Sequence, residues 1–496
     1  MGNMKVLFDT NIFIMLETPG VVLPETFSDM VRITRELHYD ICYHPAQIED
    51  LKRDKNDIRR SAQLSRIRLY SSLDNPPIVM DEDLRALDWK QNNEHDRVDN
   101  LLLFSLKRGA VSFLVTEDRG IHKKAISAGL SDRVFFVEDF VAYLRNAKGS
   151  VVNSTLVTYD QVKCKYLYEV DVENVFFDSL RQGYDGFNSW YRKCSEQGRQ
   201  AWIIQSGDVI SALCIFKEEY DERVTSSNEI LRGRILKLCT FKVADLGKKY
   251  GERLLFVAFN RAMENSFDYV YMQVREEEHG YLVSLLVDFG FKKVGHYNND
   301  VTYVKDMRVG DRNAWESRND CVKYAITHYP HVLDEGVKKY IVPIRPMYHD
   351  LLFPDKRFYC DLFQNDLSSE ANAIKKAYLC KSPMKNLLSG DLLFFYRTND
   401  AKSIFCVGVI EDVKRFSDAE ELISFVSKRT VYTHEDMRTF INEGEVLAIL
   451  FRLIRYLKIP VKRTMLTEKG IEGQIQTIRA MPEYVYQQLF QKDVGI

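Results

Sequence analysis

The sequence predicts a mixed α/β protein built from several domains. Its 496 residues are too many for a single hydrophobic core, so two to four domains are expected. Short apolar runs alternate with longer helical patterns through the first two thirds of the chain, which is typical of α/β folds. The last third is richer in short strand-like runs such as YIVPI, DLLFFYR and SIFCVGVIEDV, and this favours a mixed, strand-rich domain or small barrel.

Composition and charge exclude several classes of protein. Lys+Arg 69 nearly balance Asp+Glu 71, so any nucleic-acid affinity has to come from local basic patches. The nine cysteines are scattered and never form Cys-x-x-Cys, so we expect reduced thiols rather than zinc ligands or disulfides. No stretch reaches the roughly 18 apolar residues of a membrane span, and no signal-peptide core is visible. We therefore expect a cytoplasmic protein without a membrane partner; the oligomeric state is left open.

Two polar stretches divide the chain. The first, RNAKGSVVNST at 145–155, follows an amphipathic helical pattern, and the second, DMRVGDRNAWESRNDC at 306–321, has no apolar period. The predicted domains are therefore 1–147, 152–308 and 322–496. No internal repeat or low-complexity tract is present in the sequence.

Acidic residues recur at element ends in the first domain. Strand-like runs are predicted at 6–8, 41–43, 112–116 and 134–137, separated by helical patterns. The acids that follow these strands or begin helices are Asp9, Glu49, Asp50, Asp96, Asp99 and Asp118. Asp, Thr and Asn are also common helix caps, so any one position alone is equally a cap. Together, carboxylates at the carboxyl edge of a parallel sheet suit Mg²⁺ or Mn²⁺, which take hard oxygen ligands.

This first segment resembles the PIN-domain ribonucleases, in its opening Asp-Thr-Asn, its helix acid, its Asp before a Leu run and its Thr-x-Asp. The resemblance implies a three-layer α/β/α domain and metal-assisted hydrolysis of RNA. It implies catalytic roles for Asp9, Glu49 or Asp50, Asp96, Asp99 and Asp118, of which Asp9, Asp99 and Asp118 would hold the metal. Asn11 and Thr116 would support these carboxylates. Glu49 and Asp50 both fit the helix position, and the sequence does not choose between them.

A glycine turn marks the second domain. The stretch CTFKVADLGKKYGERLLFVAF indicates a strand, a turn with Gly247 and Gly251, and a helix. A helix N-terminus after such a turn presents N–H groups and a positive dipole end, which suits a pyrophosphate. An ordinary tight turn fits the same letters. A hairpin turning at Gly207 precedes this stretch, and a helix closed by Gly290-Phe291 follows it.

That order of elements resembles the GNAT acyltransferases, which bind acetyl-CoA. The resemblance implies that the turn holds the pyrophosphate and the strand edge pairs with the pantetheine, through Phe241, Lys242, Val243, Gly247, Lys248, Lys249, Tyr250 and Gly251. The turn departs from the family pattern, because Leu246 replaces a polar residue and Lys249 replaces the first glycine. Lys249 can still neutralise a phosphate, provided that the turn gives it a backbone angle that a residue with a Cβ tolerates. Leu286 stands where the family often has a general-acid Tyr, and a general base would come from Glu218, Glu219, Glu276 or Glu277.

The third domain contains a Gly-Asp turn followed by the aromatic strand LLFFYR. This stretch resembles the PUA-like superfamily, including the ASCH and EVE modules, which bind RNA or modified bases. Aromatic side chains with flanking cations permit base stacking and phosphate contacts. The candidate nucleic-acid contacts are Lys381, Tyr396, Arg397 and Arg429. The alternative is that the aromatic residues are simply core.

Three functions follow from these expectations. The leading one is a PIN-type metal-dependent ribonuclease fused to a GNAT acetyltransferase domain and a PUA-like reader of RNA, with tRNA among the candidates and a toxin–antitoxin or defence role by analogy. The alternative makes the acetyl-CoA-dependent N-acyltransferase the active part, acting on a protein, an aminoacyl-tRNA or a nucleobase. The third is a binding scaffold without enzymatic activity.

Overall fold

The computed structural model describes residues 4–17, 23–53, 56–148, 162–244, 248–277, 279–308, 318–353 and 372–494. The chain forms two compact units: unit 1 is Met1–Ser150 with Phe416–Gly444, and unit 2 is Val151–Arg415 with Glu445–Ile496. The predicted linkers at 145–155 and 306–321 lie largely outside the described residues. The predicted domain 322–496 is interrupted, because its residues 416–444 belong to unit 1.

Unit 1 is built on a parallel sheet with helices on both faces. Its strands are β1 Lys5–Phe8, β2 Asp40–Tyr43, β3 Ser71–Ser72, β4 Phe113–Val115 and β5 Val134–Phe135. Its helices are α1 Thr10–Glu17, α2 Glu25–Glu36, α3 Gln47–Lys52, α4 Asp57–Arg66, α5 Asp81–Ala86, α6 Glu94–Lys107, α7 Arg119–Ser127 and α8 Val137–Ala147. Four strands lie within a residue or two of their predicted positions; the two-residue β3 was not expected.

The sheet of unit 1 has the order β3-β2-β1-β4-β5, and its strands pair in parallel. Successive strand residues face opposite sides, so Leu114 packs with the apolar residues of α6 and α7. Phe113 faces the other side, where its ring meets Tyr143 of α8. The carboxyl ends of β1 and β4 therefore meet at one edge of the sheet, directly before Asp9 and Thr116.

The segment 416–444 adds helices to unit 1: α15 is Ala419–Val426 and α16 is His434–Asn442. The buried His434 ring bonds the hydroxyl of Tyr39 at 2.8 Å through Nδ1 and that of Tyr143 at 3.1 Å through Nε2. Arg429 Nε donates to Asp132 Oδ2 at 2.7 Å. These contacts explain why the segment groups with unit 1, although the Tyr143 and Asp132 pairs join residues 291 and 297 positions apart in the chain.

Unit 2 contains two sheets. The first sheet is formed by β6 Lys163–Tyr166, β7 Gln200–Ser206, β8 Val209–Arg223, β9 Ile230–Val243, β10 Tyr269–Val274, β11 Lys292–Tyr297 and β12 Asp300–Asp306. Its helices are α9 Asp178–Gly183, α10 Phe187–Glu196, α11 Tyr250–Glu264, α12 Gly280–Asp288 and α13 Arg318–Thr327. The predicted hairpin turn lies at Gly207, and Gly290 follows α12, both with positive φ.

The second sheet of unit 2 has the order β14-β17-β16-β15-β13-β18. Its strands are β13 Lys339–Ile344, β14 Lys375–Cys380, β15 Leu392–Arg397, β16 Ser403–Phe416, β17 Val446–Lys462 and β18 Arg479–Met481. The remaining helices are α14 Pro346–Leu352, α17 Arg463–Glu468, α18 Glu483–Leu489 and α19 Gln491–Val494. The strand-rich character expected of this region is present, with β13 and β15 parallel and the other described pairings antiparallel. None of the described helices of the chain has the length and apolarity needed to cross a membrane.

Candidate functional site

The seven-stranded sheet splits between β9 and β10 near the end of β9. The sheet has the order β11-β12-β10-β9-β8-β7-β6. β9 pairs in parallel with β10 over Ile235–Leu238, where Leu238 faces Met272, and that pairing then ends. On its other side β9 stays paired with β8 as far as Val243. A bulge at Cys239, between the pairs made by Leu238 and Thr240, bends β9 at the point where it leaves β10.

The free edge of β9 leads directly to the start of α11. Residues 239–243 are all half-buried, and the described part of the chain supplies no strand that pairs with them on the β10 side. Helix α11 begins at Tyr250, and the N–H groups of its first turn lack intrahelical acceptors. A strand edge and a helix N-terminus therefore follow one another in the chain, and residues 245–247 between them lie outside the described residues.

Lys249 adopts the left-handed conformation that its position demands, with φ 53° and ψ 25° as the N-cap of α11. This conformation costs a residue with a Cβ roughly 1–2 kcal/mol relative to the right-handed region. A lysine thus adopts, at this position, the left-handed conformation that glycine adopts most easily. Lys248 and Lys249 are both partly exposed, so two cations flank the helix start.

Gly251 allows α11 to pack closely at this point. A Cβ atom on Gly251 would lie 2.9 Å from Leu285 Cδ2 and 3.6 Å from Phe241 Cε1. Gly251 and Phe241 therefore have a packing role, in addition to any contact with a ligand. Lys242 turns to the other face of the sheet, where its Nζ donates to Ser179 Oγ at 2.7 Å, so only its backbone remains for the predicted strand-edge role.

These groups fit the predicted cofactor. Helix N–H groups and two lysines suit a pyrophosphate, and a bare strand edge suits an amide-bearing arm such as pantetheine. The residues that would hold it are Phe241, Lys242 and Val243 through their backbone, and Lys248, Lys249, Tyr250 and Gly251 at the turn. Gly247, also predicted for this site, lies outside the described residues.

The predicted pool of general bases is largely engaged in ion pairs. Glu276 accepts hydrogen bonds from Tyr303 and from Lys293 Nζ, the latter at 2.8 Å. Burial opposes ionisation of Glu276, but these hydrogen bonds hold its pKa below the ordinary value. Glu218 and Glu219 pair with Arg261 and Lys217, respectively. None of these three carboxylates is therefore poised as a base.

The acidic edge of unit 1 centres on Asp9, which is 6% exposed. Its Oδ2 accepts from Asn11 Nδ2 at 2.7 Å and from Thr116 Oγ1 at 2.6 Å, and its Oδ1 accepts from the Thr10 N–H at 2.6 Å. Asn11 and Thr116 thus take the supporting positions predicted for them. Burial raises the pKa of Asp9 to about 6, and the charges of Asp118 and Asp50 add to that rise against these hydrogen bonds.

The structure chooses Asp50 over Glu49 as the helix acid near Asp9. Asp50 is 10% exposed, and its charge acts on Asp9. Glu49 is 54% exposed and pairs with Lys52 at 2.7 Å, away from the sheet edge. Gln47, which sequence reasoning missed, explains the orientation of α3, because its buried amide donates to Phe8 O at 2.9 Å.

The other acids of this edge have mixed roles. Burial, followed by the charges of Asp9 and Asp118, raises the pKa of Asp99 to about 7. Asp96 lies 3.6 Å from Lys124 Nζ and also accepts from a backbone N–H in the preceding loop. Asp118 caps α7, since its Oδ1 accepts from two backbone N–H groups of the first turn. The helix-cap interpretation therefore applies to Asp118.

The predicted metal set does not fit this geometry. Over the described ranges, no group of three or more His, Cys, Asp or Glu side chains is arranged to hold a metal ion. Thr10, Asn11 and Thr116 donate to the oxygens of Asp9, and a backbone N–H donates to one oxygen of Asp118, so these carboxylates already have partners within the protein. The expectation that Asp9, Asp99 and Asp118 form a Mg²⁺ or Mn²⁺ site is not supported by the donor set.

The predicted nucleic-acid contacts need correction. Tyr396 and Arg397 are 5% and 1% exposed, and Arg397 forms buried ion pairs with Asp350 and Asp400. Arg429 is held by Asp132 inside unit 1 rather than on the second sheet of unit 2. The charge or ring of each of these three residues suggests a surface contact, whereas the fold buries all three. Lys381 is exposed and stays a prediction.

Two further positioning residues escaped sequence reasoning. His122 is buried on α7, stacks on Phe136 with ring centroids 3.6 Å apart, and bonds Thr116 O at 3.0 Å. Asn372 contacts the turn before α11 from 124 positions away in the chain. A lone histidine on an amphipathic helix gives only a weak signal, and Asn372 gives none.

Comparisons with known proteins give partial likenesses. No protein-family model and no curated protein matches the chain. Among solved structures, ASCH from Zymomonas mobilis is 16% identical and covers 31% of this chain and 93% of its own, at a TM-score of 0.25. Tetrahymena GCN5 is 13% identical and covers 28% of this chain and 84% of its own, at a TM-score of 0.21. A variant of the AtaT toxin, bound to the C-terminus of the antitoxin AtaR, is 15% identical and covers 29% and 92%, at a TM-score of 0.22.

At these TM-scores the likenesses carry no inference about activity. The architecture is that of a mixed α/β protein of two compact units, with three sheets among the residues that the structure describes.

Proposed function

We propose that unit 2 is an acyl-CoA-dependent N-acyltransferase, with the split between β9 and β10 as its cofactor site. The observation that carries the proposal is the course of β9, which leaves β10 after Leu238 and then runs into the N-terminus of α11. A bare strand edge joined to a helix N-terminus can hold an amide chain at one end and a pyrophosphate at the other. GNAT-type acetyl transfer, implied by the resemblance, is the reaction that uses such a ligand.

Each part of this site has a separate task in this proposal. The N–H groups at the start of α11 hold the diphosphate, assisted by the charges of Lys248 and Lys249. The edge of β9 at 239–243 orients the extended arm. Acetyl-CoA, when bound, supplies an acetyl thioester. Transfer forms a carbon–nitrogen bond and breaks the carbon–sulfur bond; the acceptor amine loses a proton, and the leaving CoA thiolate takes one up and departs as the thiol. The acceptor classes considered are a protein, an aminoacyl-tRNA or a nucleobase.

Isothermal titration of the full chain with acetyl-CoA and with CoA tests this proposal. Binding of both ligands is expected, and Lys249→Glu should weaken it at least tenfold by replacing an attractive charge with a repulsive one at the phosphates. Lys163→Glu is the matched control, because Lys163 is an exposed lysine on β6 whose substitution makes the same change in net charge. Absence of heat with wild-type protein, or equal losses in both variants, would refute the proposed site.

RNA hydrolysis by unit 1 is a second candidate function. The observation that favours it is the position of Asp9 at the carboxyl end of β1 beside β4, where the charges of Asp50 and Asp118 add to the rise in its pKa and those of Asp9 and Asp118 add to the rise in the pKa of Asp99. Cleavage of RNA by the full chain, with and without Mn²⁺, is the test. Asp99→Asn should abolish cleavage, whereas Glu49→Gln, a change to an exposed acid on α3, should leave it intact. No cleavage by wild-type protein under either condition would rule this candidate out.

A further inference from the structure

The segment that leads into β14 lies against the start of α11. Asn372 Nδ2 donates to the carbonyl oxygen of Lys248 at 2.9 Å. The N–H of Ile374 donates to Glu252 Oε2 at 2.8 Å, and Lys375 forms an ion pair with Asp288 at 2.6 Å. Three consecutive contacts therefore hold this segment beside the turn, all of them within unit 2.

The Asn372 amide is held at both of its ends. While its nitrogen donates to Lys248 O, its Oδ1 accepts from Arg253 Nη1 at 3.3 Å. Arg253 is 3% exposed and lies in the first turns of α11, so its side chain cannot swing away without losing buried contacts. One side-chain amide thus bridges the turn and the helix that follows it.

This bridge sets the direction of a peptide group in the turn. A trans peptide is planar, and its C=O and N–H point in opposite directions. Since Asn372 holds the Lys248 carbonyl on its own side, the N–H of Lys249 points to the opposite side. Lys249 is also in the left-handed conformation, which would relax toward other backbone angles without a restraint. The hydrogen bond from Asn372 supplies such a restraint from outside the turn.

We infer that Asn372 is a positioning residue for the cofactor diphosphate, supplied by the strand-rich part of unit 2 to the site at α11. The inference rests on the proposed function and adds a residue that the β9–α11 stretch does not contain. Asn372 acts through the Lys248–Lys249 peptide and does not itself touch the ligand. Substitution of Asn372 should therefore lower the affinity for ligands that carry the diphosphate and not the affinity for ligands that lack it.

Titration of the full chain with CoA, ADP and pantetheine tests this inference. Asn372→Ala should lower the affinity for CoA and ADP about five- to tenfold, as expected for the loss of one restraining hydrogen bond. Its affinity for pantetheine should stay unchanged. Asn372→Asp keeps an acceptor for Arg253 but has no N–H to donate to the Lys248 carbonyl oxygen. Its affinity for CoA and ADP should therefore fall at least as far as that of Asn372→Ala. Lys375→Met is the control, because it removes the neighbouring Lys375–Asp288 ion pair without touching the turn.

The outcomes separate this inference from the proposed function. If wild-type protein binds CoA and Asn372→Ala binds it equally well, the inference is wrong and the proposed function stands. The inference would also be overturned if Lys375→Met lost as much CoA affinity as Asn372→Ala, or if Asn372→Ala lost as much affinity for pantetheine as for CoA. Either result would show a general destabilisation of this region and not a specific effect on the diphosphate. If wild-type protein does not bind CoA, the proposed function itself is wrong. Faster hydrogen exchange of residues 248–253 in unliganded Asn372→Ala is the independent support expected, and unchanged exchange would count against the bridge.

Discussion

The substitution Asp9→Asn tests the electrostatics of the unit 1 edge. Asp9 is buried beside other carboxylates, and burial is the main reason why its pKa rises from the ordinary 3.8 to about 6. Between these two pH values the folded protein keeps a proton that the unfolded chain has released. The free energy of unfolding therefore falls as pH rises through this window. A difference of about two pKa units corresponds to about 3 kcal/mol.

The Asp9→Asn variant lacks this pH dependence, but the new amide disturbs the hydrogen bonds. The Thr10 N–H donates to Oδ1, whereas Asn11 and Thr116 donate to Oδ2, and an amide cannot accept on both sides, so we expect a pH-independent loss of about 1–3 kcal/mol. The variant should be less stable than wild type at pH 4. Its stability relative to wild type should then improve by up to about 3 kcal/mol on going to pH 7.

Hydrogen exchange of peptides that contain β1 and β4, followed by mass spectrometry, measures this local stability. Variant and wild type are compared at the same pH, so that intrinsic exchange rates cancel. Asp74→Asn, which changes an exposed acid of unit 1, is the control and should show a flat difference across pH. A difference for Asp9→Asn that is equally flat from pH 4 to pH 7 would refute the reasoning, because it would show that Asp9 is ionised without cost.

Three other predictions concern stability. Lys249→Gly should raise the unfolding free energy of unit 2 by about 1 kcal/mol by relieving the left-handed backbone, whereas Lys249→Ala should not; thermal unfolding of both variants decides whether strain is present. Gln47→Leu should lower the free energy of unfolding by about 2 kcal/mol, because the carbonyl oxygen of Phe8 loses its buried donor. An unchanged midpoint of urea unfolding would contradict this prediction. Arg429→Met should leave Asp132 without its buried cation and lower the free energy of unfolding by about 3 kcal/mol. Amides of residues 416–444 should then exchange hydrogen faster than those of β1. Equal protection of the two regions would contradict this prediction.

Sequence reasoning succeeded where neighbouring residues decide the outcome. The strands predicted at 6–8, 41–43, 112–116 and 134–137 lie within a residue or two of β1, β2, β4 and β5. These features follow from apolar periodicity and from glycine and cap positions, which act over a few residues.

The same reasoning failed where a side chain's surroundings decide its role. Arg397 and Tyr396 were interpreted as surface groups, yet both are buried, and Arg397 is neutralised by two aspartates. Arg429 was assigned to the C-terminal module, yet it pairs with Asp132 in unit 1. A charged or aromatic letter does not reveal whether the fold will supply a partner for it.

By itself, the sequence determined the order of strands and helices, the acids at strand ends and the turn before α11. Only the tertiary structure decided that Asp50 rather than Glu49 faces Asp9, that residues 416–444 join unit 1, and that Asn372 supports the turn. The reason is physical. Local conformation depends on interactions within a turn of helix or a pair of strand residues, whereas burial, ionisation and hydrogen bonding depend on groups that the fold brings together from positions as far apart as 124 and 297 residues.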